Sequence, residues 1–149
     1  MTPYTLRFIS KSDQQLFASI RLLVEHFPDG LSLGSDRRGR VIELSCHIIT
    51  HALANLFPQL ECVDGYFYRS FEHSWLLSRE FALIDPYPVG IAGGPIMLRD
   101  NPFDAVRPSM FLYHKNKDMI KQVIAGIGKK EFQRAVWIVE QELRRLHVI

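Results

Sequence analysis

One cysteine, one histidine and one aspartate follow one another in this chain on segments that could bring them to a common point. Cys46 opens Ser45-Cys46-His47-Ile48-Ile49-Thr50-His51-Ala52-Leu53-Ala54-Asn55-Leu56-Phe57, His73 stands near the start of Glu72-His73-Ser74-Trp75-Leu76-Leu77, and Asp85 closes Phe81-Ala82-Leu83-Ile84-Asp85-Pro86. A thiol attacks a carbonyl carbon as thiolate, and a helix N-terminus favours that form through its exposed N–H groups and its dipole. The same N–H groups can receive the oxyanion of a tetrahedral intermediate. A histidine on a neighbouring strand can take the thiol proton and return it to a leaving group. An aspartate on the next strand can hold the other ring nitrogen and so fix the tautomer. The three types in this order point to nucleophile, general base and orienter.

The positioning elements can be read from pattern. Ser45 is a helix cap, Ile49, Leu53 and Phe57 follow Cys46 on one face, and Pro58 stops the helix. Residues 63 to 70, 73 to 77 and 81 to 85 read as strands, the first rich in aromatics (Tyr66, Phe67, Tyr68), with Gly65 marking a bulge or a close approach. Loop length then decides the site. If Leu77 pairs with Phe81 across Ser78, Arg79 and Glu80, His73 faces Asp85, and the shared face reads His73, Trp75, Leu77, Phe81, Leu83, Asp85. A two-residue loop would turn the two to opposite faces, because one step of register flips a strand's side chains. The triad requires an odd loop.

Around this centre, residues 4 to 10 suggest a short edge strand. Ser12 and Asp13 start a helix over 13 to 26, with Leu16, Ile20, Leu23 and Phe27 at helical spacing. Residues 28 to 40 read as a surface loop carrying the basic cluster Arg37, Arg38 and Arg40, solvated or facing an anionic substrate. The Pro- and Gly-rich stretch 86 to 109 reads as a long loop or lid, a length that is often functional. A helix starts at Asn116 or Lys117 and runs to about Ala125. A strongly amphipathic one follows over 129 to 146, with Phe132, Ala135, Val136, Val139, Leu143 and Leu146 on its apolar face. The fold expected is α+β: a small antiparallel sheet packed on the Cys46 helix, with flanking N- and C-terminal helices.

At 149 residues, the chain is expected to be one domain, residues 1–149. Hydrophobic residues make up 47% and charged residues 23%, which suits a globular chain, and a net charge of +2 gives no reason to expect nucleic acid or a membrane as partner. Two cysteines make no disulfide framework, and no signal peptide or spanning segment is visible, so a cytoplasmic location is expected.

A helix-borne Cys followed by a strand His and a strand Asp resembles the core of transglutaminase-like and papain-like cysteine enzymes. His73-Ser74-Trp75-Leu76 is similar to the His-Ala-Trp strand of the transglutaminase-like family, and Leu83-Ile84-Asp85-Pro86 to its apolar-Asp-Pro ending. The Cys helix, His strand and Asp strand also resemble the arylamine N-acetyltransferase core, whose Asp strand runs into glycines as Gly90 to Pro95 do here. The resemblance covers residues 45 to 86. It implies a thiol-dependent hydrolase or acyltransferase acting on an amide or acyl bond of a peptide, protein or small amide through a covalent thioester, with Cys46, His73 and Asp85 catalytic and no cofactor. Ser45, Trp75, Tyr66 and Tyr87 are the candidate substrate contacts. The papain-like glutamine before the Cys has no counterpart, since no Gln lies between residues 16 and 58, and Ser45 and His47 flank the thiol in place of the transglutaminase context. The alternative is therefore a catalytically inactive binding module on the same fold. His47 and His51, at i and i+4, could reach a metal together with Cys46, but further ligands at recognisable spacing are missing, so no metal is expected. Cys62 reads as a buried filler and Trp137 as packed or at a protein contact. The pattern leaves the oligomeric state open.

Overall fold

A computed structural model describes residues 9–68, 70–87, 94–99 and 112–147. Among them the chain forms α1 (Lys11–Glu25), α2 (Cys46–Leu56), β1 (Leu60–Phe67), β2 (Phe71–Ser78), β3 (Leu83–Asp85), β4 (Ile96–Leu98), β5 (Tyr113–Lys115), α3 (Met119–Ile127) and α4 (Lys129–His147). The strands make one antiparallel sheet in the order β4-β3-β2-β1-β5. The class is α+β, as the alternation of helical and strand periods implies. No helix among the described residues is long and apolar enough to cross a membrane.

Each helix follows from its local pattern. The cap of α1 is Ser10 rather than Ser12: its hydroxyl accepts from the Asp13 amide at 3.1 Å. Asp13 itself is buried and accepts from the Ser78 hydroxyl at 2.8 Å, tying the first turn of α1 to the end of β2. Ser45 caps α2 by accepting from the Ile48 amide, and Phe57, just before Pro58, ends it. In α4, Phe132, Ala135, Val136, Val139 and Leu143 are buried along one face.

The two faces of the sheet differ. Leu60, Leu76, Ile84 and Met97 join Ile48, Ile49, Ala52, Leu53 and the buried face of α4 in the main core. The alternate positions, Val63, Trp75 and Leu83, form a second cluster with Tyr113 on the opposite face. Strand alternation places His73 and Asp85 on this second face, and Asp64, Ser74 and Cys62 on the helix side.

The β2–β3 register differs from expectation by two residues. Leu77 pairs with Leu83 and Leu76 with Ile84, and the loop is Arg79, Glu80 and Phe81 rather than Ser78 to Glu80. Its length remains three, so parity holds and His73 and Asp85 share a face. Asp85 stands at the level of Trp75, one diagonal step from His73. The physical reason lies in the turn: the Phe81 amide donates to the Ser78 carbonyl at 3.0 Å, and Phe81 adopts φ 66°, the left-handed third position of a three-residue hairpin. Phe81 is therefore an exposed loop residue and leaves the apolar face assigned to it.

Two strands lie where none was expected. Ile96–Leu98 pairs with β3 inside the stretch read as a lid, and Tyr113–Lys115 pairs with β1 just before α3. Three residues are too few for a period to show in sequence. Residues 88–93 and 100–109 of the expected lid, and residues 4–8 of the expected edge strand, lie outside the described residues. Gly65 is a close approach: a Cβ there would collide with the His114 backbone carbonyl on β5. Gly65→Ala should therefore push β5 off β1, with a loss of about 1–3 kcal/mol in denaturant unfolding. An unchanged midpoint would show that the β1–β5 contact yields without cost.

Candidate functional site

His73 and Asp85 are both fully buried. The Nε2 of His73 lies 2.7 Å from Asp85 Oδ2, and because the carboxylate only accepts, Nε2 carries the proton. Asp85 is held from two further sides. The Tyr113 hydroxyl donates to the same Oδ2 at 2.8 Å, and the Tyr87 amide donates to Oδ1 at 3.1 Å. Burial, and then the Asp85 charge, push the Tyr113 phenol upward, so it stays a donor. The His73 ring is further fixed by Trp75, stacked at 6.1 Å between centroids, by an edge contact with Phe67 and by the tilted ring of Tyr113.

The other nitrogen, Nδ1, is buried and makes no aligned hydrogen bond among the described residues. The Cys46 thiol and the His73 ring are near enough for each group to displace the other's titration. Burial alone would push Cys46 up; hydrogen bonding to His47 and His73, with their charges, outweighs it and brings the thiol down to about 6. Burial alone would lower His73; the Asp85 bond and the thiolate outweigh that and raise it to about 9. Between these values the pair is thiolate and imidazolium. The β2–β3 ladder covers only the Leu76 and Leu77 levels, so His73 lies beyond its end, where a thiol on the helix side can meet a ring on the other face.

A second chain of polar groups reaches the thiol from the helix side. Ser74 donates to Asp64 Oδ1, so its oxygen accepts from His47 Nδ1 at 2.7 Å. His51 Nε2 is bonded to the same Asp64 oxygen at 3.0 Å. Burial would raise the Asp64 carboxyl, but His51 and Ser74 hold it below the usual range. Cys62, half-buried, is pushed far up by burial and by Asp64 beside it. The two thiols of this chain are thus displaced in opposite directions.

Of the four candidate substrate contacts, Tyr87 lines a cleft of about 660 Å³ together with Phe27, Leu31, Val41, Leu44 and Ile49. Cys46, His73 and Asp85 do not line it, but Tyr87 touches both cleft and Asp85. Trp75 is buried and borders a smaller hollow of about 220 Å³ on the outer face, with Leu77, Leu83 and Tyr113. Ser45 is occupied as the α2 cap, and Tyr66 lies on the helix side of β1, away from His73. In the basic loop, Arg40 is paired with Asp36 at 3.0 Å. Trp137 is 60% exposed rather than packed.

Sequence reasoning missed Tyr113, Ser74 and the role of His47. His47 and His51 do not share a ligand: they stand at the two ends of the Ser74–Asp64 chain. The alternation of Leu112, Tyr113 and His114 after a Pro-rich stretch was a faint signal for β5. Tyr113→Phe should cost about 1.5–3 kcal/mol, the usual value of a bond to a charged acceptor. Asp85 keeps His73, so the Cys46 labelling midpoint should stay near 6. A large shift of that midpoint would make Tyr113 part of the proton relay rather than a support.

The chain matches no family model, no curated protein and no solved structure.

Proposed function

We propose that this protein is a thiol-dependent hydrolase or acyltransferase on a transglutaminase-like or papain-like core. The observation that carries the reading is the buried Asp85–His73 pair, whose other ring nitrogen has no hydrogen-bond partner among the described residues, together with a Cys46 thiol brought down to about 6. The Cys46 thiolate adds to the carbonyl carbon of an amide or ester, and the N–H groups at the start of α2 receive the oxyanion. As the intermediate collapses, the His73 imidazolium gives its Nδ1 proton to the departing amine or alkoxide, leaving a thioester on Cys46. Water or an amine then attacks the thioester, gives its proton to His73, and the thiolate leaves. Asp85 keeps the ring oriented and balances its charge through both steps. The cleft beside Tyr87, where Asp29, Ser32 and Glu43 stand among apolar side chains, suits a peptide segment or a small amide.

Incubation with p-nitrophenyl acetate tests this. Intact-mass analysis should find a single acetyl group on Cys46, released by hydroxylamine and absent from Cys46→Ser. A wild-type protein that releases nitrophenol no faster than Cys46→Ser would sink the reading. A second reading, an inactive binding module on the same core, is favoured by the position of the three residues outside the main cleft. It predicts a Cys46 that labels no faster than Cys62 and accepts no acyl group.

A further inference from the structure

We propose that His51, Cys62 and Asp64 form a binding site for one divalent ion of the zinc class, bridging α2 to β1. The ligand atoms of the three side chains all lie within 4.8 Å of one another. His51 Nε2 is 3.0 Å from Asp64 Oδ1, and Cys62 Sγ is 3.9 Å from the same oxygen. Zinc bonds of about 2.0–2.1 Å to nitrogen, 2.0–2.2 Å to carboxylate oxygen and 2.3 Å to sulfur, at tetrahedral angles, place such atoms roughly 3.4–3.6 Å apart. Both measured separations are within about half an ångström of that spacing, a distance that small side-chain rotations cover.

The donor set also selects the ion. One imidazole, one thiol and one carboxylate suit zinc or cobalt, whereas magnesium and calcium demand oxygen ligands. Three protein donors leave the fourth position for water. Cys62 and Asp64 sit two residues apart on one face of β1, and His51 faces them from α2. The supports that metal ligands use are already built. Ser74 donates to Asp64 and is itself held by His47, while the edge contact with Phe132, 5.5 Å between centroids, sets the plane of His51. All three ligands are half-buried, so an ion can enter from solvent.

On binding, the Cys62 proton leaves to solvent, sulfur bonds the metal, and His51 coordinates through Nε2. The site is separate from Cys46 and stands whether or not Cys46 performs acyl chemistry.

Titration with Co²⁺ tests it, because a thiolate ligand gives a charge-transfer band in the near ultraviolet. The band should saturate at one equivalent in wild type and in Cys46→Ser, and vanish in Cys62→Ser. Zinc affinity, measured by competition with a chromophoric chelator, should fall at least about 10–100-fold in Cys62→Ser and stay unchanged in Cys46→Ser. Both changes replace sulfur by oxygen at half-buried positions, and circular dichroism of each variant checks that it is folded. A band that follows Cys46 instead, a Cys62→Ser protein as tight as wild type, or no saturable binding in wild type would each overturn the proposal.

Discussion

Iodoacetamide should label Cys46 with a midpoint near pH 6, while Cys62 stays unreactive over the same range, and His73→Ala should move the Cys46 midpoint up toward 9. The thiol is at about 6 only because His47 and His73 outweigh its burial. Without His73, one of the two lowering groups is gone and the burial penalty remains. At pH 6 the wild-type thiol is half ionised, whereas one with a pKa of 9 has on the order of 500-fold less thiolate. The more basic thiolate is intrinsically a better nucleophile, which offsets roughly 20-fold of that loss. Because His47 still lowers the thiol, the net fall in labelling rate at pH 6 is at most on the order of 20-fold. His47→Ala should shift the midpoint in the same direction. If His73→Ala leaves the profile unchanged, the thiolate owes nothing to the ring on β2, and the catalytic reading loses its base.

The largest effect on stability is expected at Asp85. Asp85→Asn keeps the shape but removes the carboxylate charge that is hydrogen-bonded to a fully buried His73 imidazolium. Breaking one partner of a buried pair costs about 3–5 kcal/mol, which for a chain of this size lowers Tm by roughly 10 °C. The pH dependence has a definite sign. His73 is raised from 6.5 to about 9, so the stability it contributes is fully present below 6.5 and is lost as pH rises through 9. Cys46 is lowered from 9.0 to about 6, so its contribution is present above 9 and is lost as pH falls through 6. The thiolate–imidazolium pair therefore supports the fold most between about 6 and 9. The gap between wild type and Asp85→Asn follows the His73 contribution, so it should be widest below about 6.5 and narrow as pH rises through 9. Equal melting temperatures at pH 7 would mean that His73 is neutral in the fold and that Asp85 only accepts a neutral hydrogen bond.

Much of the architecture was legible because the signals for it are local. Apolar residues three and four apart mark α1, α2 and α4, Ser45 and Pro58 bracket the Cys46 helix, and β1 to β3 show as short apolar runs between turn residues. The parity rule was legible too. His73 and Asp85 share a face for any odd loop, and the loop has three residues. The register itself was not, because Phe81 takes a left-handed conformation that its side chain gives no sign of. Nor were β4 and β5, whose pairing comes from neighbours far along the chain rather than from their own three residues.

What the sequence by itself determined is the helices, β1 to β3, and the order in which Cys46, His73 and Asp85 are carried on them. Periodicity, capping and turn length act over a few residues, and they are written in the chain. Tertiary structure alone decided that Tyr113, 28 residues beyond Asp85, donates to its carboxylate, and that Ser74 links His47 to Asp64. It also decided that the two thiols diverge, one drawn down by two imidazoles and the other pushed up beside an aspartate. A pKa is set by which charges share a low-dielectric space, and that is known only once the sheet has paired and the helix has packed on it.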